Sequence, residues 1–370
     1  MAEYPLVDNT EFEPDEEYIP GPEPEPQAPL WMDGNVRIGI HTSISGSYVN
    51  ALESARKLGA NAVQIFSASP RMWQGATVKI AEKDAKEFRA RREELGLGPL
   101  VIHANYLVNL AATQPMLRTR SIQSFHEELV RGLALGADYV VVHPGARGDV
   151  SMEHAISTII ESVKQAARRV PMGKMQILIE NTAGMGSAVG SRLEEVGAIV
   201  RGLNAIGAGA CLDTAHLFAA GYDIKSAEGL EQTIDTIDRT IGLDRVPVLH
   251  VNDSKVALGG KVDRHDHIGR GKIGAEAFTR ILRHPRLGSM PPEGLAGRAF
   301  LLETPIEDPG DDRKNVAQLW ELAGVEGPAA EKGYSMLTLA MKKLMAKRGK
   351  KLSSRHLPGK KVKKSTKAKK

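Results

Sequence analysis

An α/β chain forming a single (β/α)8 TIM barrel, with a disordered acidic tail before it and a basic, largely disordered tail after it, is the fold this sequence predicts. Three observations lead there. Short apolar runs alternate with longer amphipathic stretches about eight times in the body of the chain, the pattern of a parallel sheet wrapped by helices. Most of those runs end on His, Glu or Asp. No Gly-rich dinucleotide loop follows the first run, where Gly46 in SISGS is too weak a signal, so a doubly wound nucleotide-binding sheet is disfavoured.

The domain organisation follows from composition. With 370 residues, 42% hydrophobic and 25% charged, the chain has enough apolar material for a sizeable core. Residues 1–35 are acidic and Pro-rich (EFEPDEEYIPGPEPEPQAP) without a single Lys or Arg, a composition that stays extended. Residues 36–325 form the predicted barrel. Residues 326–370 end in GKKVKKSTKAKK, and such a run binds polyanions weakly and without sequence preference, or merely keeps the chain soluble. The single cysteine, Cys211, excludes an intramolecular disulfide framework. With no long apolar segment and no secretory signal pattern, a cytoplasmic, membrane-free setting is expected.

Taken in order, the predicted strands are Arg37 to His41, Ala62 to Phe66, Leu100 to His103, Tyr139 to His143, Gln176 to Glu180, Ala208 to Asp213, Pro247 to Asn252 and Ala299 to Glu303. Between them helical periodicity covers Tyr48 to Leu58, Glu82 to Leu95, Met116 to Leu135, Met152 to Arg169, Leu193 to Leu203, Glu231 to Ile241 and Ala275 to Leu282. His41, His103, His143, Glu180, Asp213, His250 and Glu303 stand at or near the ends of the strands. In a parallel barrel those ends share one face, where the catalytic groups of this architecture are built. One such His is ordinarily a hydrogen-bonded core residue. Many metal-ligand side chains on one rim are harder to explain by packing, because each unpaired buried charge is costly.

The stretch CLDTAHLFAAGYD from Cys211 to Asp223 sets Asp213 and His216 three residues apart where an apolar run stops. Asp and His there read as ligands for zinc or manganese; the plainer alternative is an Asp N-cap with a surface His. In the loop after the seventh strand Asp263 and His265 stand two apart, and just past His103 come Tyr106 and Leu107. These last two fit ordinary loop packing or a wedge against nucleic acid bases.

The motifs HANYLVNLA from His103, HPG from His143, IENTAGMG from Ile179, CLDTAHLFAAGYD from Cys211, HVNDSK from His250, VDRHDHIGRG from Val262 and LLET from Leu301 resemble endonuclease IV, the zinc-dependent apurinic/apyrimidinic (AP) endonuclease family with a TIM-barrel fold. The resemblance runs from about Val36 to about Leu322 and includes neither tail. It implies a cluster of three zinc ions per chain. The first would be held by His103, His143 and Glu180, the second by Glu180, Asp213, His250 and Glu303, and the third by His216, Asp263 and His265. Arg71, Tyr106 and Leu107 match the residues that penetrate DNA, and His41 matches a strand end that is not a ligand. In the IGRG turn Arg270 stands where Glu is common.

The implied activity is that of a metal-dependent hydrolase of base excision repair, cutting double-stranded DNA 5′ to an abasic site to leave a 3′-hydroxyl and a 5′-deoxyribose phosphate. Glu180 would bridge two ions, and the chain would act as a monomer. A divalent-metal sugar isomerase or epimerase on the same barrel is the alternative. The number of His ligands and the wedge-like Arg71 and Tyr106 count against it.

Overall fold

The computed structural model describes residues 36–73, 79–287 and 298–337. Both tails, as drawn from composition, fall largely outside the described residues. Eight parallel strands close on themselves in sequence order. They are β1 (Arg37–Thr42), β2 (Ala62–Phe66), β3 (Leu100–His103), β4 (Tyr139–Val142), β5 (Gln176–Glu180), β6 (Gly209–Asp213), β7 (Val248–His250) and β10 (Ala299–Leu302), with β10 pairing back onto β1. Two further strands, β8 (Asp253–Ser254) and β9 (His265–Asp266), form a small antiparallel ribbon above the barrel.

Around the strands lie α1 (Tyr48–Lys57), α2 (Glu82–Glu94), α3 (Pro115–Leu135), α4 (Met152–Ala167), α5 (Leu193–Gly202), α6 (Thr214–Ala220), α7 (Ala227–Thr240), α8 (Ala275–Arg283) and α9 (Asp311–Ala323). Their starts are written in the sequence. Ser47, Ser151 and Ser226 each accept a backbone N–H of the first turn, the usual N-cap arrangement. Along α4 the buried positions Ala155, Ile159, Val163 and Ala166 recur at helical spacing and face the sheet. Each such Ile or Val contributes about 1.5–3 kcal/mol when fully buried.

Two cores result. The larger lies between strands and helices. The smaller fills the barrel itself and consists of Ala62, Val101, Tyr139, Val141, Leu178, Cys211, Val248 and Leu301. Gly39 also belongs inside the barrel, because a Cβ there would come within 2.4 Å of the Leu301 side chain and 2.7 Å of the Ala62 backbone. This inner layer positions the site. Strand side chains alternate faces, so the residue two beyond an inner one points inward again, one storey nearer the C-terminal mouth. From Val101, Val141, Leu178, Cys211, Val248 and Leu301 that step reaches His103, His143, Glu180, Asp213, His250 and Glu303.

Four elements differ from the sequence reading, the ribbon strands β8 and β9, which it took as loop, and two helices. Helices α6 and α9 were absent from it: α6 is only 7 residues long, too short for a periodic signal, and α9 opens on two acids after a Pro-Gly turn. The chain beyond residue 325 also continues against the barrel. The Glu331 N–H donates to the Lys57 carbonyl, the Tyr334 hydroxyl lies 2.7 Å from Ser54 Oγ, and the buried Asp312 carboxylate accepts from the Met336 N–H at 2.6 Å and from the Ser335 hydroxyl. Met336 thereby reaches the lip of the mouth. Among the described residues no helix is long and apolar enough to cross a membrane.

Candidate metal centre and DNA cleft

Glu180 is the centre of the site. It ends β5 with 0% exposure, and four imidazoles surround it: His103 Nε2 at 3.2 Å and His143 Nε2 at 3.4 Å from Oε2, His250 Nδ1 at 2.9 Å and His216 Nδ1 at 3.6 Å from Oε1. Its two oxygens thus face two different groups. Burial pushes the Glu180 carboxyl up, but the imidazoles of His143 and His250 outweigh it and hold the group well below the usual carboxylate range. Burial also opposes charge on His250, where the Glu303 and Glu180 carboxylates carry the imidazolium well above its ordinary value.

Asp213 is the N-cap that one alternative supposed, and it also turns an oxygen toward the mouth. Its Oδ1 accepts the His216 N–H at 2.8 Å and so caps α6, while its Oδ2 faces His265 Nε2 at 3.6 Å. His216 is buried, not on the surface. Desolvation lowers its pKa, yet the Asp213 charge and the hydrogen bond to Asp263 raise it to about 10. Asp263 Oδ2 lies 3.3 Å from His216 Nε2 and its Oδ1 3.2 Å from His265 Nε2.

Ligand atoms of three groups fall within 4.8 Å of one another: His103, His143 and Glu180; Glu180, Asp213, His250 and Glu303; and Asp213, His216 and His265. Asp263 stands beside the last group, so all the ligand candidates read from the sequence meet at one mouth. Asp213 also joins the group of His216 and His265, whereas His41 belongs to none. The donor set suits a borderline-soft divalent cation. So does a buried, orphaned atom: His265 Nε2 has no hydrogen-bond partner although it faces two carboxylates.

The far nitrogens of the rings are also arranged. His103 Nδ1 lies 2.7 Å from the Ala104 carbonyl, His216 Nδ1 3.0 Å from that of Asn181 and His265 Nδ1 3.3 Å from that of Glu303. A ring that donates to a carbonyl through Nδ1 turns a lone pair on Nε2 toward the centre, the outer-sphere device of metal-binding histidines. Carboxylates are fixed in the same way. Asn252 donates to Asp213 Oδ2 at 2.6 Å and accepts the Glu303 N–H at 2.8 Å, and Asn181 accepts the Asp213 N–H at 2.7 Å.

The loop bearing Asp263 and His265 needs an anchor of its own, which is Asp253. Its fully buried carboxylate accepts backbone N–H groups from Gly269, Gly271, Ile273 and Gly274 at 3.0–3.2 Å. Gly271 is obligatory there, since a Cβ would lie 2.4 Å from Asp253 Oδ1. Arg270 in this turn is exposed and does not line the cleft.

The mouth opens into a cleft of about 740 Å³ lined on one side by Arg71 and Tyr106. Tyr106 is 60% exposed, its ring edge-on to Phe66 at 5.2 Å and 6.0 Å from that of His103. The buried Asn105 ties the two loops together by donating to the Met72 carbonyl at 2.9 Å while accepting the Leu107 N–H at 2.7 Å. Leu107 itself is half-buried and does not line the cleft. Lys255 and Arg264, which the sequence reading passed over, do line it.

That reading also missed Gln64, Asn105, Asn181, Asn252 and Asp253. For Gln64 a signal existed: it stands two positions beyond the inner residue Ala62, but mid-run in AVQIF and not at its end. The others are neutral amides in loops or, for Asp253, a carboxylate in the short strand β8, where only tertiary contacts reveal a role.

A closed parallel barrel whose strand ends gather imidazoles and carboxylates at one mouth defines a metal-dependent enzyme of the TIM-barrel class. Comparison with known proteins makes the class particular. Residues 52–318 match the family described as xylose isomerase-like TIM barrel. A probable endonuclease 4 of Solibacter usitatus is 46% identical over 297 residues, spanning 79% of this chain and 99% of that protein. The crystal structure of endonuclease IV from Thermus thermophilus superposes with a TM-score of 0.67 at 39% identity, covering 78% of this chain and 99% of that one. A D-tagatose 3-epimerase-like protein, at 17% identity and a TM-score of 0.56 over 78% of this chain and 98% of that one, shares the fold alone. The chain belongs to the endonuclease IV family.

Proposed function

We infer that this chain is a DNA-hydrolysing AP endonuclease of base excision repair. It cuts the phosphodiester 5′ to an abasic site in double-stranded DNA and leaves a 3′-hydroxyl and a 5′-deoxyribose phosphate. The observation that carries the metal-dependent chemistry is Glu180, a buried carboxylate shared between two sets of ligands.

His103, His143 and Glu180 would hold one zinc ion, Glu180, Asp213, His250 and Glu303 a second, and His216, Asp263 and His265 a third. When bound, such ions supply a nucleophile at neutral pH and neutralise charge on the attacked phosphate and on the leaving oxygen. The protein's own contribution is placement. Strand ends fix the ligands of the first two ions, and the turned imidazoles present one nitrogen each. Arg71 and Tyr106 occupy the lip of the cleft, where an aromatic edge and a cation fit the gap left when an abasic nucleotide is extruded, and Leu107 follows Tyr106 in the same loop. Extrusion is cheapest where the base is already missing, so damage is recognised through that energy difference. Lys255 and Arg264 suit the phosphates of the strand.

All proposed ligands come from one chain, which supports a monomer as the working unit. The buried free thiol of Cys211 suits a reducing cytoplasm. The test is elemental analysis of the full chain together with incision of a duplex carrying one abasic analogue, before and after chelation. About three zinc ions per chain and chelator-sensitive incision are expected. A metal-free protein that leaves the duplex intact, or that instead converts free ketoses, would overturn the reading.

A further inference from the structure

We propose that Gln64 is a positioning residue of this site, deciding which nitrogen of His250 and which oxygen of Glu303 face the cleft. The inference rests on the metal-holding role proposed above. Gln64 is fully buried in β2, and its amide touches three side chains of the mouth. Its Oε1 lies 2.8 Å from His250 Nε2, and its Nε2 lies 2.6 Å from Glu303 Oε1 and 3.0 Å from His41 Nδ1.

A carboxamide offers two N–H donors at one end and acceptor lone pairs at the other, so its orientation can be read from its neighbours. Glu303 can only accept when ionised, so the NH2 end must face it. The second N–H then meets His41 Nδ1, which accepts. The carbonyl end is left for His250, whose Nε2–H donates to it. The reverse orientation would set the amide oxygen against a carboxylate and lose both contacts.

The consequence for the site is a choice of atoms. With Nε2 of His250 committed to Gln64, Nδ1 is the nitrogen that faces the centre, 2.9 Å from Glu180 Oε1 and 3.4 Å from Glu303 Oε2. With Glu303 Oε1 held by Gln64, Oε2 is the oxygen that faces the same centre. His103, His216 and His265 obtain their orientation from backbone carbonyls, which no substitution removes. For His250 the partner is a side chain. One residue therefore orients two ligands of the same ion, and it can be changed.

Gln64→Met keeps length and approximate volume but removes donors and acceptor together. Full-length parent and variant are compared by zinc titration against a competing chelator, by the visible spectrum after cobalt(II) substitution, and by incision of an abasic duplex. The expected result is a folded variant in which one ion is bound about 10–100-fold more weakly, as for other outer-sphere partners, while the remaining ions keep parent affinity. The cobalt spectrum changes, and kcat falls with KM for the duplex little altered. Gln64→Asn, the same amide drawn back by one methylene, is expected to show the same selective loss and serves where the Met variant does not fold. Variants with parent affinities and the parent cobalt spectrum overturn the role, as does loss of every ion along with the fold in both variants, which would make Gln64 a packing residue. A parent protein that binds neither zinc nor cobalt overturns the metal reading instead.

Discussion

The two halves of the mouth are built differently. His103, His143, Glu180, Asp213, His250 and Glu303 stand at or one residue past the ends of barrel strands, held by a closed parallel ladder and a packed inner layer. His216 rides on a short helix, His265 on a two-stranded ribbon and Asp263 on the loop joining its strands, and Asp263 is 50% exposed at its side chain while Glu180 is fully buried. Strand-borne groups inherit their geometry from the barrel. The loop that carries Asp263 and His265 runs on into the turn that Asp253 gathers, so one residue can loosen it. Of the proposed ion positions, two are expected to be rigid and the third more labile.

The strongest test of the strand-borne half is Glu180→Gln, which hardly changes volume but removes the charge between the two proposed cation positions. Like charges a few ångströms apart repel strongly where water is excluded. Loss of at least one ion is expected, with incision reduced by a few orders of magnitude while the circular dichroism of the barrel persists. Full metal content and parent-like cleavage in this variant would sink the bridging role.

Asp253→Asn tests the other half. The amide turns an NH2 toward backbone N–H groups that need an acceptor, and each buried donor left unmatched costs about 1–3 kcal/mol. Selective loss of the ion assigned to His216, Asp263 and His265 is expected, with the strand-borne ions retained under a chelator that spares them in the parent. Simultaneous loss of all ions would erase the distinction between the halves.

Removing the metals should expose the proton chemistry of the site. In the metal-free fold His216 is raised from 6.5 to about 10, so its contribution to stability is complete below pH 6.5 and is lost as pH rises through about 10. Glu180 and Glu303 are depressed well below 4.5, so theirs is present above pH 4.5 and lost as the solution is acidified beyond it. The melting temperature of the metal-free protein is therefore expected to fall from about pH 7 to about pH 10, and zinc uptake at neutral pH to release protons, measured by calorimetry in buffers of different ionisation heat. A flat melting profile across that range would count against the assigned pairing of His216.

On the wedge side, Tyr106→Ala should keep full metal content and lose about 1–3 kcal/mol of discrimination between abasic and intact duplex, the usual worth of one aromatic stack on a base. Loss of metal or of stability instead would make Tyr106 a packing residue.

The smallest expected effect on the chemistry concerns the tail. Fourteen Lys and Arg and no acid follow Leu337, ten acids and no Lys or Arg precede Val36, and the net charge of +4 is the difference, so residues 36–337 are electrically balanced. Deleting the residues after Leu337 is expected to weaken DNA binding and flatten the dependence of log K on log salt, with incision at saturating DNA unchanged. An unaltered salt slope would exclude a DNA role for the tail.

Much of this is legible in the sequence. Alternation of apolar runs with helical periodicity led to the barrel, because the 2-residue and 3.6-residue repeats are properties of the local backbone. The ligand types at strand ends were visible because an unpaired charge at the close of an apolar run has no packing explanation. Helix α6 was not visible, being a short helix directly after Asp213, and neither was the double use of Asp213 as a cap and as a partner of His265. The boundary at residue 325 followed composition, whereas the Asp312 carboxylate draws the chain onto the barrel as far as Met336.

The sequence by itself determined the barrel, the one face on which its charged strand ends collect, and the family, since each is encoded in spacing along the chain. The tertiary structure alone decided which atoms meet. Glu180 turns its two oxygens to different neighbours, Gln64 reaches from β2 to His250 and Glu303, and Asp253 gathers a loop some twenty residues downstream. Those contacts depend on barrel closure, which brings positions far apart in the chain within hydrogen-bond distance. Local periodicity carries no record of distance between such positions, so it names the residues of a site without saying which of their atoms face it.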